Sequence, residues 1–356
     1  MKHIRSIASA LTAAALLTAA MPAHAAYSGP EEIGLALRPV SADSSLFIHD
    51  GTVYVSPAAA AAGAIIHTGV YIEAERADLA YIKLNLQSDC TDLTFDKDTF
   101  VNPSVTAYST AQDFTLPDGT VFSTRFKPYA LGCFNSSGTY ITDCMWVMCN
   151  FLEDNSQFVL TWQHSYSETG PRSASFLGGV SDAFSLVDLD LHLAPGTAAG
   201  VHRVDYIEQS ETENGQIVEE TYVCSDDTPV GDKSGSVYTK VIPAMHGLEI
   251  AVASEEYQYF GDVLVSSAGY GLRGDVNRDG VVNSEDASIV LSYTAQNGLG
   301  GNASFSEDAA EHTLRLHLAD ADGKDAVNST DASYMLVYAA QAGLHGSADW
   351  SQVTGG

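Results

Sequence analysis

The sequence predicts a mainly β protein, an antiparallel β-sandwich, followed by a small all-α module. Three observations predict it. Between about residues 45 and 265, short apolar or alternating runs are separated by turn residues, which is the pattern of strands. After residue 267 the texture changes to loops rich in Asp, Asn and Gly, each followed by a stretch with helical spacing. That second texture is duplicated. Sliding residues 286–299 by 45 positions onto 331–344 aligns the opening Asp-Ala-Ser, a Leu, a Tyr, an Ala-Gln pair and the closing Gly-Leu.

Within the β region, residues 46–48 and 53–55 flank Asp50-Gly51, a hairpin signal. Residues 70–72 and 81–86 follow, the latter alternating through Ile82, Leu84 and Leu86. Further runs lie at 139–152, 158–162, 184–193, 201–207, 217–224, 237–242 and 248–252. Roughly ten strands with no helical period between them point to a two-sheet sandwich in preference to a barrel.

Lys2 and Arg5 precede an apolar stretch over 7–20 that closes on Ala23-His24-Ala25, the layout of a secretory signal peptide over residues 1–25. No later segment is apolar enough to span a bilayer. The expectation is a secreted, extracellular chain with a sandwich over 26–266 and a helical module over 267–356, joined near residues 266–269. Its 45 acidic residues against 16 basic ones give a net charge of −29, which repels nucleic acid and anionic lipid and makes calcium a natural counterion. All five cysteines, Cys90, Cys133, Cys144, Cys149 and Cys224, precede residue 225, so the helical module needs another device than disulfides. An odd number leaves at least one thiol unpaired, or all of them reduced, and the pairing does not follow from sequence. Cys144 and Cys149 lack the spacing of a zinc ligand pair.

The device is legible in the loops. The first places oxygen-bearing side chains at positions 1, 3, 5, 9 and 12: Asp275, Asn277, Asp279, Asn283 and Asp286. A hard cation takes six to eight oxygens, and position 7, Val281, adds its carbonyl. Gly280 at position 6 permits the sharp turn, and Asp286 stands where an EF-hand carries Glu. The second loop keeps Asp320, Asp322, the Ala326 carbonyl, Asn328 and Asp331, but has Lys324 at position 5 and Asp325 at position 6. An ammonium cannot coordinate calcium, so one strong and one weaker calcium site are expected. Ser284 and Ser329 are placed to cap the two helices, and Gly298 and Gly343 to stop them.

Two such loop–helix repeats, without leading helices, resemble the type I dockerin family over about residues 270–345. The first loop, the repeat period and the Asp-Ala-Ser-x-x-Leu helix start carry the resemblance, which is nearest to ruminococcal dockerins. It implies a calcium-dependent module that plugs a cellulosome component into a cohesin domain of a scaffoldin. The residues it places against cohesin are Ser284, Glu285 and Ser288, and Ser329, Thr330 and Ser333. Glu285 against Thr330 makes the two faces unequal in charge, so one binding orientation is preferred. A stack of Tyr270 on Trp350 is expected to clip the module's ends together.

The N-terminal module shows no catalytic motif. Gly179-Val-Ser181-Asp-Ala183 lacks the last glycine of a nucleophile elbow and reads as a turn, and no His-Glu-x-x-His pair exists. Trp146 and Trp162 read as core or strand-pair residues in preference to a sugar-stacking face. Residues 63–95 and 184–206 resemble the opening and closing strands of a cohesin sandwich, with a longer stretch between them than cohesins need. Together the two resemblances imply a non-catalytic adaptor, with a dockerin or a polysaccharide as the ligand of the sandwich. The alternative is a dockerin-bearing carbohydrate-binding subunit or glycoside hydrolase.

Overall fold

The computed structural model describes residues 33–73, 79–100, 107–115, 119, 121–126, 133–134, 140–141, 145–164, 184–207, 210–211, 217–226, 238–241, 243–324 and 326–355. The expected signal peptide, Cys144, the turn at 179–183 and Asp325 lie outside them, as do the side chains of Cys133 and Trp146.

Along the chain run β1 (Gly34–Ala42), β2 (Leu46–His49), β3 (Thr52–Val55), a short helix α1 (Pro57–Ala62), β4 (Ala64–Glu73), β5 (Leu79–Ser88) and β6 (Leu93–Phe95). Two small hairpins, β7 (Ala107–Thr115) with β8 (Val121–Phe126) and β9 (Cys133–Phe134) with β10 (Tyr140–Ile141), precede β11 (Met145–Leu152) and β12 (Gln157–His164). Then come β13 (Val187–Leu193), β14 (Gly200–Tyr206), β15 (Ser210–Glu211), β16 (Ile217–Glu219), β17 (Tyr222–Asp226), β18 (Tyr238–Val241), β19 (Ala244–His246) and β20 (Leu248–Val252). The last part holds β21 (Gln258–Phe260), β22 (Val263–Ser266), β23 (Gly269–Leu272), α2 (Ser284–Gly298), α3 (Ala309–Ala319), α4 (Ser329–His345) and α5 (Trp350–Thr354).

One sheet has the order β19-β1-β4-β13-β6, antiparallel except for the β1–β19 pair. The other runs β11-β12-β5-β14-β20-β3-β2, with β17 also paired to β5 and carrying β18. Period-2 alternation sends one face of each strand inward. Ile66, Val70, Leu189 and Leu191 from the first sheet meet Leu84, Leu86, Phe158, Leu160 and Trp162 from the second in one buried cluster. Trp162 is 1% exposed, so it is a core residue and not a sugar platform. The expected mainly β sandwich is therefore what the chain forms.

Several expectations change in detail. The run at 217–224 is two strands, because Thr221 leaves the ladder to exchange hydrogen bonds with the Asn85 backbone, its hydroxyl accepting from the Asn85 amide at 3.0 Å. The run at 139–152 divides between β10 and β11. Helix α1 was not read from the sequence, although Ser56 caps it by accepting from the Ala59 amide and Pro57 opens it.

The larger correction concerns residues 266–269. They are not a linker but the turn between β22 and β23, so the boundary drawn between 26–266 and 267–356 cuts a three-stranded sheet. This sheet bridges the modules. Val263 and Val265 pack on Tyr54, Ala251 and Ala253 of the sandwich, whereas Leu264, pointing the opposite way, packs on Leu314 and Leu318 of α3. Tyr270 stacks on Phe47 with ring centroids 5.5 Å apart, its hydroxyl donating to the Ser45 carbonyl and accepting from the Ser56 amide. On the other face the Tyr259 hydroxyl donates to the His317 carbonyl at 2.7 Å. Helix α3 comes so close to β23 that a Cβ on Gly271 would lie 2.6 Å from Leu318.

Candidate calcium and docking site

The C-terminal module is built around α2 and α4, which share a core of Val276, Ala287, Val290, Ala319, Ala321, Ala332 and Met335. Its loops fold onto their own helix starts. In the first, both oxygens of Asp286 accept backbone amides: Oδ1 from Val276 (2.8 Å) and Asn277 (3.1 Å), Oδ2 from Asn283 (2.9 Å). Asn283 in turn accepts the Glu285 amide, completing a capping box. The helix cap is thus Asn283, with Ser284 as the first helical residue. Asp275 accepts the amides of Asp279 and Gly280, Asn277 accepts that of Asp279, and Asp279 accepts that of Val281. These bonds wind positions 1 to 7 into a tight loop, with Gly280 at φ 89°.

The second loop repeats the plan. Asp331 accepts the amides of Ala321 (3.0 Å) and Asn328 (2.9 Å), and Asn328 caps α4 by accepting from Thr330. Asp320 and Asp322 both accept the Lys324 amide, and the Asn328 side chain donates to the Ala326 carbonyl at 2.7 Å. Lys324 also reaches back, its Nζ lying 2.8 Å from Asp322 Oδ2. Among the described residues, Asp320, Asp322 and Asp331 are the acidic triad whose carboxylates gather within 4.8 Å of one another. The gathering therefore falls in the loop with the lysine, whose ammonium offsets part of the repulsion.

Burial pushes the Asp275 carboxyl above the ordinary aspartate range, and the Asp286 and Asp279 carboxylates add to the rise against the amides of Gly280 and Asp279. Burial raises Asp331 in the same way, whereas the hydrogen bond from Lys324 holds Asp322 below its usual value. Asp275, Asp286 and Asp331 are all buried, the last two with no exposed surface. Such oxygen-only sets, with acidic groups crowded where charge is disfavoured, fit a divalent hard cation. Asp275, Asn277, Asp279, Asp286 and the Val281 carbonyl would hold it in the first loop, and Asp320, Asp322, Asp331 and the Ala326 carbonyl in the second; Asn283 and Asn328, expected as further ligands at position 9, each accept a helix amide through Oδ1, from Glu285 and Thr330.

The loops are mechanically joined. The Gly274 amide, just before the first, donates to the Leu318 carbonyl, just before the second, at 2.8 Å. Arg278 in the first loop pairs with Glu311 at 2.8 Å, and Glu311 pairs with Arg315 within α3. Helix α3 leads straight into Asp320, so the second repeat does have a leading helix, contrary to the expectation of loop–helix units alone.

The expected Tyr270–Trp350 stack does not form. Trp350 instead stacks on Tyr338 with centroids 4.3 Å apart, and Tyr293 stacks on Phe305 at 4.2 Å. Each partner lies 45 residues from its counterpart, so the duplication extends through residues 305 and 350. Carrying the same slide six positions further finds both pairs. Trp350 also closes over the first loop, since a Cβ on Gly274 would come within 2.5 Å of its ring.

Ser284, Glu285 and Ser288 on α2, and Ser329, Thr330 and Ser333 on α4, are all exposed. The Ser288 and Ser333 hydroxyls donate to the carbonyls of Ser284 and Ser329, which leaves their oxygens outward as acceptors.

Residues 273–338 match the model of the dockerin type I domain. A search of curated proteins gave no match. Solved structures similar to this chain include a type I cohesin–dockerin complex from Clostridium thermocellum, at 8% identity over 65% of this chain and 100% of that one, with a TM-score of 0.32. A type III cohesin module from the ScaE cell-surface anchoring scaffoldin of Ruminococcus flavefaciens is 15% identical over 66% of this chain and 98% of that one, with a TM-score of 0.31. The second type II cohesin module from the adaptor ScaA scaffoldin of Acetivibrio cellulolyticus is 10% identical over 64% and 96%, with a TM-score of 0.26. These values are low, and the sandwich stands on its own strand order and core.

Proposed function

We propose that this chain is a secreted, non-catalytic adaptor of a cellulosome that supports plant polysaccharide degradation. Its C-terminal module docks onto a cohesin of a scaffoldin through the exposed starts of α2 and α4, and the cohesin-like sandwich offers a second surface to a dockerin or a polysaccharide. The carrying observation is the duplicated acidic loop, each copy pinned by a buried Asp to a helix whose outer face is left to solvent. The match to the dockerin type I domain over 273–338 supports the same reading. Calcium orders both loops. The first, with an oxygen at every side-chain ligand position, holds it more tightly than the second, where Lys324 must first leave Asp322.

The test uses the chain from residue 26 onward, because a cut at 266 would open the β22–β23 hairpin. Immobilised dockerins, and gels carrying cellulose, xylan and pectin, are challenged with it in calcium. Capture by a dockerin supports the adaptor. Retention on polysaccharide with no dockerin bound overturns it in favour of a carbohydrate-binding subunit, and release of reducing sugar overturns the non-catalytic reading.

A further inference from the structure

The two halves of the docking module differ in a way that the repeat alone does not dictate. Beside α2 lies an open groove of about 280 Å³, lined by Glu285, Ser288, Ile289 and Tyr293 from the helix and by Ala303 and Phe305 from the segment after it. Local bonds hold that segment as a wall: Asn297 accepts the Ala303 amide at 3.0 Å, Phe305 stacks on Tyr293, and the Phe305 amide donates to His312 Nδ1 at 3.2 Å. The corresponding positions beside α4 are Thr330, Ser333, Tyr334, Tyr338, Ala348 and Trp350. There the wall is drawn inward, since Trp350 is 3% exposed and sits against Gly274, whereas Phe305 stays partly exposed. The lip differs too, with a carboxylate at Glu285 and a hydroxyl at Thr330. Among the described residues Glu285 has no ion-pair partner.

We infer that the groove beside α2 receives an apolar side chain of the docked cohesin, flanked on that cohesin by a lysine or arginine that meets Glu285. This rests on the cohesin-binding reading and deepens it: α2 with residues 303–305 is the primary docking face, and α4 is not its equal. Two observations choose the occupant. Glu285 and Ser288 belong both to the groove and to the exposed docking face, so a partner on that face covers the groove. The unpaired Glu285 on a chain of net charge −29 selects a cation beside the apolar group.

The full chain in excess calcium is titrated against a panel of type I, type II and type III cohesin modules. Ala303→Trp fills the groove, and Ala348→Trp makes the same change at the equivalent place beside α4. Filling a desolvated anchor pocket should weaken binding about tenfold or more for Ala303→Trp, against less than roughly threefold for Ala348→Trp. Glu285→Gln, at an exposed position that does not endanger folding, should slow association and flatten its salt dependence. It carries the test alone if Ala303→Trp lowers the calcium-loaded melting temperature. Equal losses from the two Trp variants, or an unchanged salt dependence in Glu285→Gln, overturn the groove while leaving cohesin binding intact. Capture of the wild-type chain by none of the cohesins overturns the cohesin reading itself, and the groove with it.

Discussion

Gly274 and Trp350 meet at the mouth of the first acidic loop, and their contact gives a quantitative test of how the module is closed. Gly274 has φ 85°, and an added methyl would lie 2.5 Å from the Trp350 ring and 3.1 Å from Val282. Gly274→Ala therefore carries a left-handed backbone penalty of about 1–2 kcal/mol, together with an overpacking cost of about 1–3 kcal/mol if the ring must shift. Trp350→Ala removes a nearly buried ring stacked on Tyr338, for which a loss of about 3–5 kcal/mol is expected. In the double variant the clash with the ring is gone, while the backbone penalty and the close approach to Val282 remain, so the two changes should be sub-additive by about 1–3 kcal/mol. Urea unfolding of the full chain in saturating calcium, followed by circular dichroism at 222 nm as a helix-weighted signal, measures all four corners of the cycle. Additive losses would mean that Trp350 is not what Gly274 makes room for.

Other perturbations probe the remaining links. Leu264→Asp places a carboxylate against the apolar side chains of Leu314 and Leu318; a cost of roughly 3 kcal/mol should detach α3 from the bridging sheet and split the thermal transition in two, and one unaltered transition would refute the bridge. In the metal-free chain, as the pH falls, Asp275 and Asp331 take up protons in the folded module before they do in the unfolded chain, because burial raises both carboxyls. Its stability in EDTA should rise as the pH falls from neutral toward the ordinary aspartate value of about 3.9. Calcium requires the charged forms, so the loaded chain should lose stability over the same window, and melting temperatures that fall together would count against buried carboxylate ligands. Lys324→Asp supplies the missing oxygen ligand and frees Asp322, which should tighten the second calcium step by about tenfold or more in calorimetry; an unchanged or weaker step would acquit the lysine.

What could be read in advance follows from how local each determinant is. The hairpin at Asp50-Gly51 and the alternation through Ile82, Leu84 and Leu86 depend on neighbours in sequence, and each is where the pattern placed it. The caps of α2 and α4 fall one residue earlier than expected, on Asn283 and Asn328 in place of Ser284 and Ser329, and α4 runs past Gly343 to stop at Gly346. The bridging sheet was hidden because Val263, Leu264 and Val265 read as one apolar run, while Ser-Ser-Ala-Gly at 266–269 resembles a linker by composition. Only the packing partners on each side, Tyr54 and Ala251 against Leu314 and Leu318, reveal a strand buried on both faces. The aromatic pairing failed for a related reason. Tyr270 and Trp350 flank the repeats, but Tyr270 serves the sandwich through Phe47 and Ser45, and Trp350 belongs to the repeat itself. Helix α3 was within reach of sequence reasoning, since Asp308 caps a segment whose Leu314 and Leu318 share one face.

Cohesin capture of the full chain, measured in excess calcium and again after EDTA, bears most directly on the claim that metal organises a docking surface on α2 and α4. Capture in calcium, its loss on chelation and its return when calcium is restored are expected, with the Ser284, Glu285 and Ser288 face required. Capture that is equal with and without calcium, or that survives disruption of both helix starts, would contradict it.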